Sequence, residues 1–164
     1  MNRKNIPAPI VAERKRQITA EGWTAAHDDE HTDGDMRIVA QAYYWHATGS
    51  SALGWQYCPI IRDSKRVEAQ MRIPCPWPWA PKWWKPKTPE RDLERAGALC
   101  IAEIERLERS VEDLQAPDEA VAAKIKEVER LLGGIIKAYN ARVQPAKPVK
   151  KMLPPMPGGR RRAP

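Results

Sequence analysis

The chain of 164 residues contains no phenylalanine, although it has seven tryptophans and four tyrosines. Aromatic core volume must therefore come from Trp and Tyr, whose N–H and O–H groups need partners when buried. No apolar run approaches the ~18–20 residues of a membrane span. The first residues, MNRKNIPAPIVAERKRQ, turn charged again before a signal-peptide core can form. Cysteine is scarce: Cys58, Cys75 and Cys100 are odd in number and lack a CxxC spacing. That argues against a disulfide framework or a zinc finger, and a reducing cytoplasm is the expected location, with no membrane partner. Acid is missing from residues 141–164, which hold seven basic residues. Residues 1–140 hold 21 residues of each sign, so the net charge of +7 belongs to the last segment. A broadly basic nucleic-acid-binding body is thereby disfavoured.

What is present reads as an all-α protein: a small helical bundle with a long antiparallel helical hairpin, an ordered Pro/Trp-rich loop and a disordered basic tail. Residues 1–115 form the body, with the loop at 48–90. Residues 116–140 form the second hairpin arm and 141–164 the tail. A helix is predicted over 8–21, with Pro9 in its first turn and Gly22 at its stop. Its polar face is Glu13, Arg14, Lys15, Arg16 and Gln17, and Ile10, Val11 and Ile18 face the core. GWTAAHDDEHTDGD, residues 22–35, reads as an acidic loop. Residues 36–47 follow as the most buried helix, capped by Thr32, Asp33 or Asp35.

Six prolines between Pro74 and Pro89 exclude regular helix or central strand there. Four Trp in the same stretch argue for a wrapped, ordered loop. Residues 56–73 add a short strand pair or a short helix. Leu93, Gly97, Cys100, Ile104, Leu107, Val111 and Leu114 are spaced 4,3,4,3,4,3, and Val121, Ile125, Val128, Leu132, Ile135 and Tyr139 continue at 4,3,4,3,4. Such seams belong to packed helix pairs, and the short link QAPDE folds them back as a hairpin.

Four features could carry chemistry. His27, Asp28 and His31 offer nitrogen and oxygen ligands for a divalent metal such as Zn, Mn or Mg, and the alternative is a solvated turn that caps the next helix. The Trp set Trp77, Trp79, Trp83 and Trp84, interleaved with Lys82, Lys85 and Lys87, could stack a nucleobase and grip a phosphate, or simply roof the helices. Arg91 could hold a phosphate or pair with the acidic loop, while Asp92 near a helix start suits the dipole. The tail KPVKKMLPPMPGGRRRAP could bind nucleic acid or an acidic protein partner, or only keep the chain soluble.

Two segments read together carry a resemblance. They are Glu13-Arg14-Lys15-Arg16-Gln17 with Gly22-Trp23-Thr24 and His27-Asp28-Asp29-Glu30-His31, and Arg91-Asp92-Leu93-Glu94-Arg95-Ala96-Gly97-Ala98-Leu99 with Ala102-Glu103-Ile104-Glu105-Arg106-Leu107. With the WPW and WWKP segments, they resemble a family of small phage and prophage proteins over residues 11–109. More distantly they resemble MazG-like nucleotide pyrophosphohydrolases, all-α proteins in which paired carboxylates hold Mg²⁺ on a triphosphate. The resemblance implies a dimer or tetramer in a bacterial host cytoplasm. This sequence departs from the pattern: residues 36–44, MRIVAQAYY, carry no carboxylate, and Arg95 stands where a second acid belongs. The expectation is an accessory protein that binds a nucleotide or nucleotide-derived molecule without turnover. The residues expected to line its site are Arg16, Trp23, Trp77, Trp79, Trp84, Lys85, Arg91 and Asp92. The alternatives are an adaptor using the hairpin and tail, and a metal-dependent hydrolase using His27 and His31.

Overall fold

The computed structural model describes residues 5–62, 65–114 and 118–143. The elements run α1 (Ala8–Glu21), α2 (Ala25–Asp29), α3 (Asp35–Thr48), β1 (Gly54–Arg62), β2 (Lys65–Cys75), α4 (Pro89–Leu114) and α5 (Glu119–Val143), with a 3-10 turn at Pro81–Trp83 before α4. The protein is mostly helical but not all-α, because β1 and β2 pair as an antiparallel two-stranded sheet. Both strands are edges, so Pro59 leaves no central ladder broken, and the register slips between Pro59 and Ile61. Gly54 pairs with Cys75, and the hairpin root enters the core through Leu53 and Ile73. Arg72 lies over the Trp55 ring, 4.0 Å from its centroid.

The centre of the bundle is α4, which packs against α1, α2, α3 and α5. Its residues from Ala96 to Cys100 are all buried, so α4 rather than α3 is the most enclosed helix. The reason lies in α3 itself: Met36, Val39, Ala40, Tyr43 and Ala47 face inward, while Arg37, Gln41 and Tyr44 stay partly exposed. The second seam is used as its spacing predicts, with Val128, Leu132, Ile135 and Tyr139 buried. Tyr139 donates to Glu94 Oε1 at 3.3 Å and Arg142 Nη1 lies 3.8 Å from Glu90, so the two long helices run antiparallel. Val121 and Ile125, nearer the start of α5, are only partly buried.

Two capping expectations change. A short helix, α2, interrupts the acidic segment, with Thr24 Oγ1 accepting from the His27 N–H at 3.4 Å. Gly34, in the left-handed region at φ 76°, precedes α3 without a side-chain cap. Asp35 instead begins the helix and complements its dipole. At α1 the boundaries hold, with Pro9 in the first turn and Gly22 left-handed at φ 77°. Its orientation does not follow hydropathy. Ile10 is buried, but Val11 and Ile18 are exposed, and Glu13, Arg14 and Gln17 fill the inward face.

That reversal is possible because every buried charge on α1 has a partner. Arg14 lies 2.5 Å from Asp28 on α2 and donates to Glu105 on α4 and to the Trp23 carbonyl. Glu13 accepts from Arg16 and from Arg91 of α4. Gly97 of α4 faces α1 rather than α5: a Cβ there would lie 2.6 Å from Ile10 Cγ2, so glycine permits the close approach. Among the described residues, no helix is long and apolar enough to cross a membrane. The first three residues of the expected tail, 141–164, continue α5 as helix, while residues 144–164 and residues 115–117 of the hairpin link lie outside the described residues.

Candidate functional site

Where α1, α2 and the Trp-rich loop meet over α4, two adjacent cavities share Trp23, Trp79, Trp83 and Leu99 as walls. The larger, of about 210 Å³, is completed by His27, Asp28, His31, Met36 and Ala80. The smaller, of about 80 Å³, is flanked by Glu13, Arg16, Gln17, Glu21, Lys85 and Arg95, with Tyr43 behind. Together they approach the lower end of the roughly 300–1,000 Å³ typical of small-molecule sites. One compartment is aromatic and the other is rimmed by three cations, Arg16, Lys85 and Arg95, and two carboxylates, Glu13 and Glu21.

The aromatic compartment is assembled around α2. His27 lies on that helix and His31 just beyond its end, and their rings meet at a tilt of 56° with centroids 5.1 Å apart. Trp23 lies parallel to His27 at 6.2 Å, and His31 meets Trp79 at 5.7 Å. Trp23 and Trp79 close the ring edge to face at 6.0 Å. Asp35 anchors two of these rings, pairing with His31 Nδ1 at 3.1 Å and accepting from Trp79 Nε1 at 3.4 Å. The acidic segment and the Trp-rich loop thus meet through rings rather than opposed charges. The cations facing the acidic segment come from α1 and α4, where Arg109 Nη2 holds Asp29 at 2.6 Å.

The basic compartment is positioned by Tyr43. Its hydroxyl donates to the Trp83 carbonyl at 3.3 Å and accepts from the Lys85 N–H at 3.2 Å, fixing the chain that carries both residues. Burial raises the pKa of this phenol. Lys85 Nζ sits 5.2 Å from the Trp83 ring centroid, and no carboxylate pairs with it among the described residues. Arg95 donates to the Lys85 carbonyl. Arg16 is partly neutralised, at 2.7 Å from Glu13 and 2.8 Å from Glu21. Burial favours protonation of Glu13, but the hydrogen bonds and charges of Arg16 and Arg91 outweigh it and lower its pKa.

The structure divides the residues singled out in the sequence. Arg16, Trp23, His27, Asp28, His31, Trp79 and Lys85 line the two compartments. Trp77 and Trp84 do not line them: they are buried in the hydrophobic core, where Trp84 packs on Tyr43 at 4.8 Å and on Trp77 at 5.2 Å. These two form the roof. Asp92 is fully buried, bonded to His46 Nδ1 at 2.9 Å and to the Lys87 N–H at 2.9 Å, which ties the start of α4 to α3. Arg91 bridges Glu13 and Glu94. Gln17 and Arg95 were not anticipated as lining residues. Gln17 comes from the α1 face that hydropathy gives to solvent, and Arg95 from a position where the resemblance puts an acid.

Among the described residues, no three His, Cys, Asp or Glu side chains are grouped so as to hold a metal ion. His27, Asp28 and His31 share a wall but not a focus, because Asp28 is committed to Arg14 and His31 Nδ1 to Asp35. The expected Zn, Mn or Mg site therefore does not fit this donor set. Two polar side-chain atoms are buried without a hydrogen-bond partner among the described residues, Gln17 Oε1 and His27 Nδ1. One belongs to each compartment. A cavity of about 310 Å³ between α3 and α5 has no such atom, and its Arg37 and Glu127 pair with each other at 3.2 Å. No family model, curated protein or solved structure matched the chain.

Proposed function

We propose that the protein binds a nucleotide or nucleotide-derived small molecule in the Trp23–Trp79–Trp83 cleft, as a phage or prophage accessory protein that sequesters its ligand without turning it over. One observation carries the reading: an aromatic compartment adjoins a cationic one through shared tryptophan walls. A nucleobase offers a flat π-face to the first, where base–aromatic stacking is worth ~1–3 kcal/mol. A phosphate offers charge and acceptor oxygens to Arg16, Lys85 and Arg95 in the second.

Binding is favoured over hydrolysis because the acids at the cleft are already engaged. Glu13 serves Arg16 and Arg91, Asp28 serves Arg14, and Glu21 serves Arg16. Divalent-metal phosphoryl chemistry needs carboxylates free to coordinate. The test is calorimetry and tryptophan fluorescence with ribonucleotides and cyclic dinucleotides. Saturable quenching that disappears in Trp83→Ala and Lys85→Glu is the expected result. Absence of heat and quenching at roughly 1 mM of every ligand, where even ~4 kcal/mol of binding registers, overturns it.

A further inference from the structure

This inference rests on the nucleotide reading and concerns what the cleft selects. Gln17 is 2% exposed, projects from the buried face of α1 and lines the cationic compartment. Its Nε2 donates to Glu13 Oε1 at 3.4 Å. Glu13 is kept ionised by Arg16 and Arg91 and can only accept. A flipped amide would set two oxygens against each other, so Glu13 fixes which way Gln17 points.

The consequence is an oriented carbonyl oxygen, Gln17 Oε1, that is buried and has no hydrogen-bond partner. Buried acceptors are rarely left unpaired, and an unmade bond of this kind is costly. Phosphate cannot satisfy it, since both groups accept. The missing group is an O–H or N–H donor, which a ligand in this compartment can supply. The 210 Å³ aromatic compartment suits the base better than the 80 Å³ one. With phosphate drawn to Arg16, Lys85 and Arg95, the part of a nucleotide lying between base and phosphate is the sugar. Its hydroxyls are the donors nearest the cationic end.

We infer that Gln17 Oε1 accepts a ribose hydroxyl and makes the cleft selective for ribonucleotides over their deoxy counterparts. A site built to bond a hydroxyl rejects the analogue lacking it, because its own polar group is then left bare.

The experiment is calorimetry on the full chain with the four common ribonucleoside monophosphates and the 2′-deoxy and 3′-deoxy forms of whichever binds most tightly. The expected result is that at least one deoxy form binds about tenfold weaker or worse. In Gln17→Met, which keeps the shape and removes the acceptor, that ratio collapses towards one. If both deoxy forms match the ribonucleotide, or if Gln17→Met keeps the discrimination, the inference is overturned while the nucleotide reading stands. If none of the four monophosphates binds, this inference falls, and the nucleotide reading falls with it only if the cyclic dinucleotides fail as well. Should Gln17→Met fail to fold by circular dichroism, the wild-type ratios alone decide.

Discussion

Arg14 and Asp28 form a buried ion pair between α1 and α2, with Arg14 Nη2 2.5 Å from Asp28 Oδ2 and both side chains almost wholly out of solvent. The pair sets the angle between the helix that supplies Gln17 and the helix that supplies His27. Glu105 adds a second acid at 3.2 Å and the Trp23 carbonyl a third acceptor, so the guanidinium is well satisfied.

Removing one member leaves the other charged and buried. Arg14→Met is expected to destabilise the fold by about 3–5 kcal/mol, the usual cost of an orphaned buried charge. Denaturant unfolding of wild type and variant measures it. A loss under 1 kcal/mol would show that Asp28 finds solvent or another donor.

How much of this was readable beforehand depends on the kind of interaction. The seam Val128–Leu132–Ile135 was legible because its burial is apolar and periodic, and neighbouring helices need only match it. The inward face of α1 was not. Glu13, Arg14 and Gln17 read as solvent-facing, and burial becomes tolerable only through Asp28, Arg91 and Glu105, which lie 14, 78 and 91 residues from their partners. Hydropathy registers charge, not whether a partner arrives from elsewhere in the chain. The His27–His31 contact was legible in part from the four-residue spacing, but α2, capped by Thr24, ends at Asp29, so His31 reaches the His27 ring from beyond the helix. Trp77 and Trp84 could not be told from Trp79 and Trp83 by composition, because the sorting depends on distant partners: Trp77 and Trp84 pack on Tyr43, whereas Trp79 meets Trp23 and His31.

Gly97 tests the contact between α1 and α4 directly. Alanine would gain helix propensity of up to ~1 kcal/mol but would drive a methyl to 2.6 Å from Ile10 Cγ2. Overpacking of this kind costs about 1–3 kcal/mol. Gly97→Ala is therefore expected to destabilise wild type and to do so less in an Ile10→Ala background. The double-mutant cycle should give a coupling of about 1 kcal/mol or more, and an additive cycle would place the helices further apart.

The cysteines should separate by burial. Cys100 is fully buried, and desolvation pushes its thiol well above the ordinary range, whereas Cys75 is exposed. A thiol reagent at pH 8 should modify Cys75 in the native protein and leave Cys100 untouched until the chain unfolds. Mass spectrometry of alkylated peptides reads both. Rapid native labelling of Cys100 would mean that α4 is not the enclosed centre of the bundle.

Acid should weaken the α1–α4 junction through Glu13. Its carboxylate is buried, which by itself raises the pKa, but Arg16 and Arg91 more than compensate and hold it below the ordinary value of 4.5. A group whose pKa is lower folded than unfolded stabilises the fold above its unfolded value, and the contribution is lost as pH falls through the folded one. Glu13 therefore contributes fully at neutral pH and progressively less below about pH 4.5. Glu13→Gln should be less stable than wild type at pH 7, and the gap should narrow as pH drops below that value. Denaturation midpoints of both proteins between pH 7 and pH 3 check it. A gap that stays constant would place the acid-sensitive proton elsewhere, and one that widens would reverse the sign of the Glu13 shift. The same titration should weaken the proposed nucleotide binding in calorimetry of the wild type, because Glu13 aligns both Arg16 at the cleft rim and the Gln17 amide beneath it.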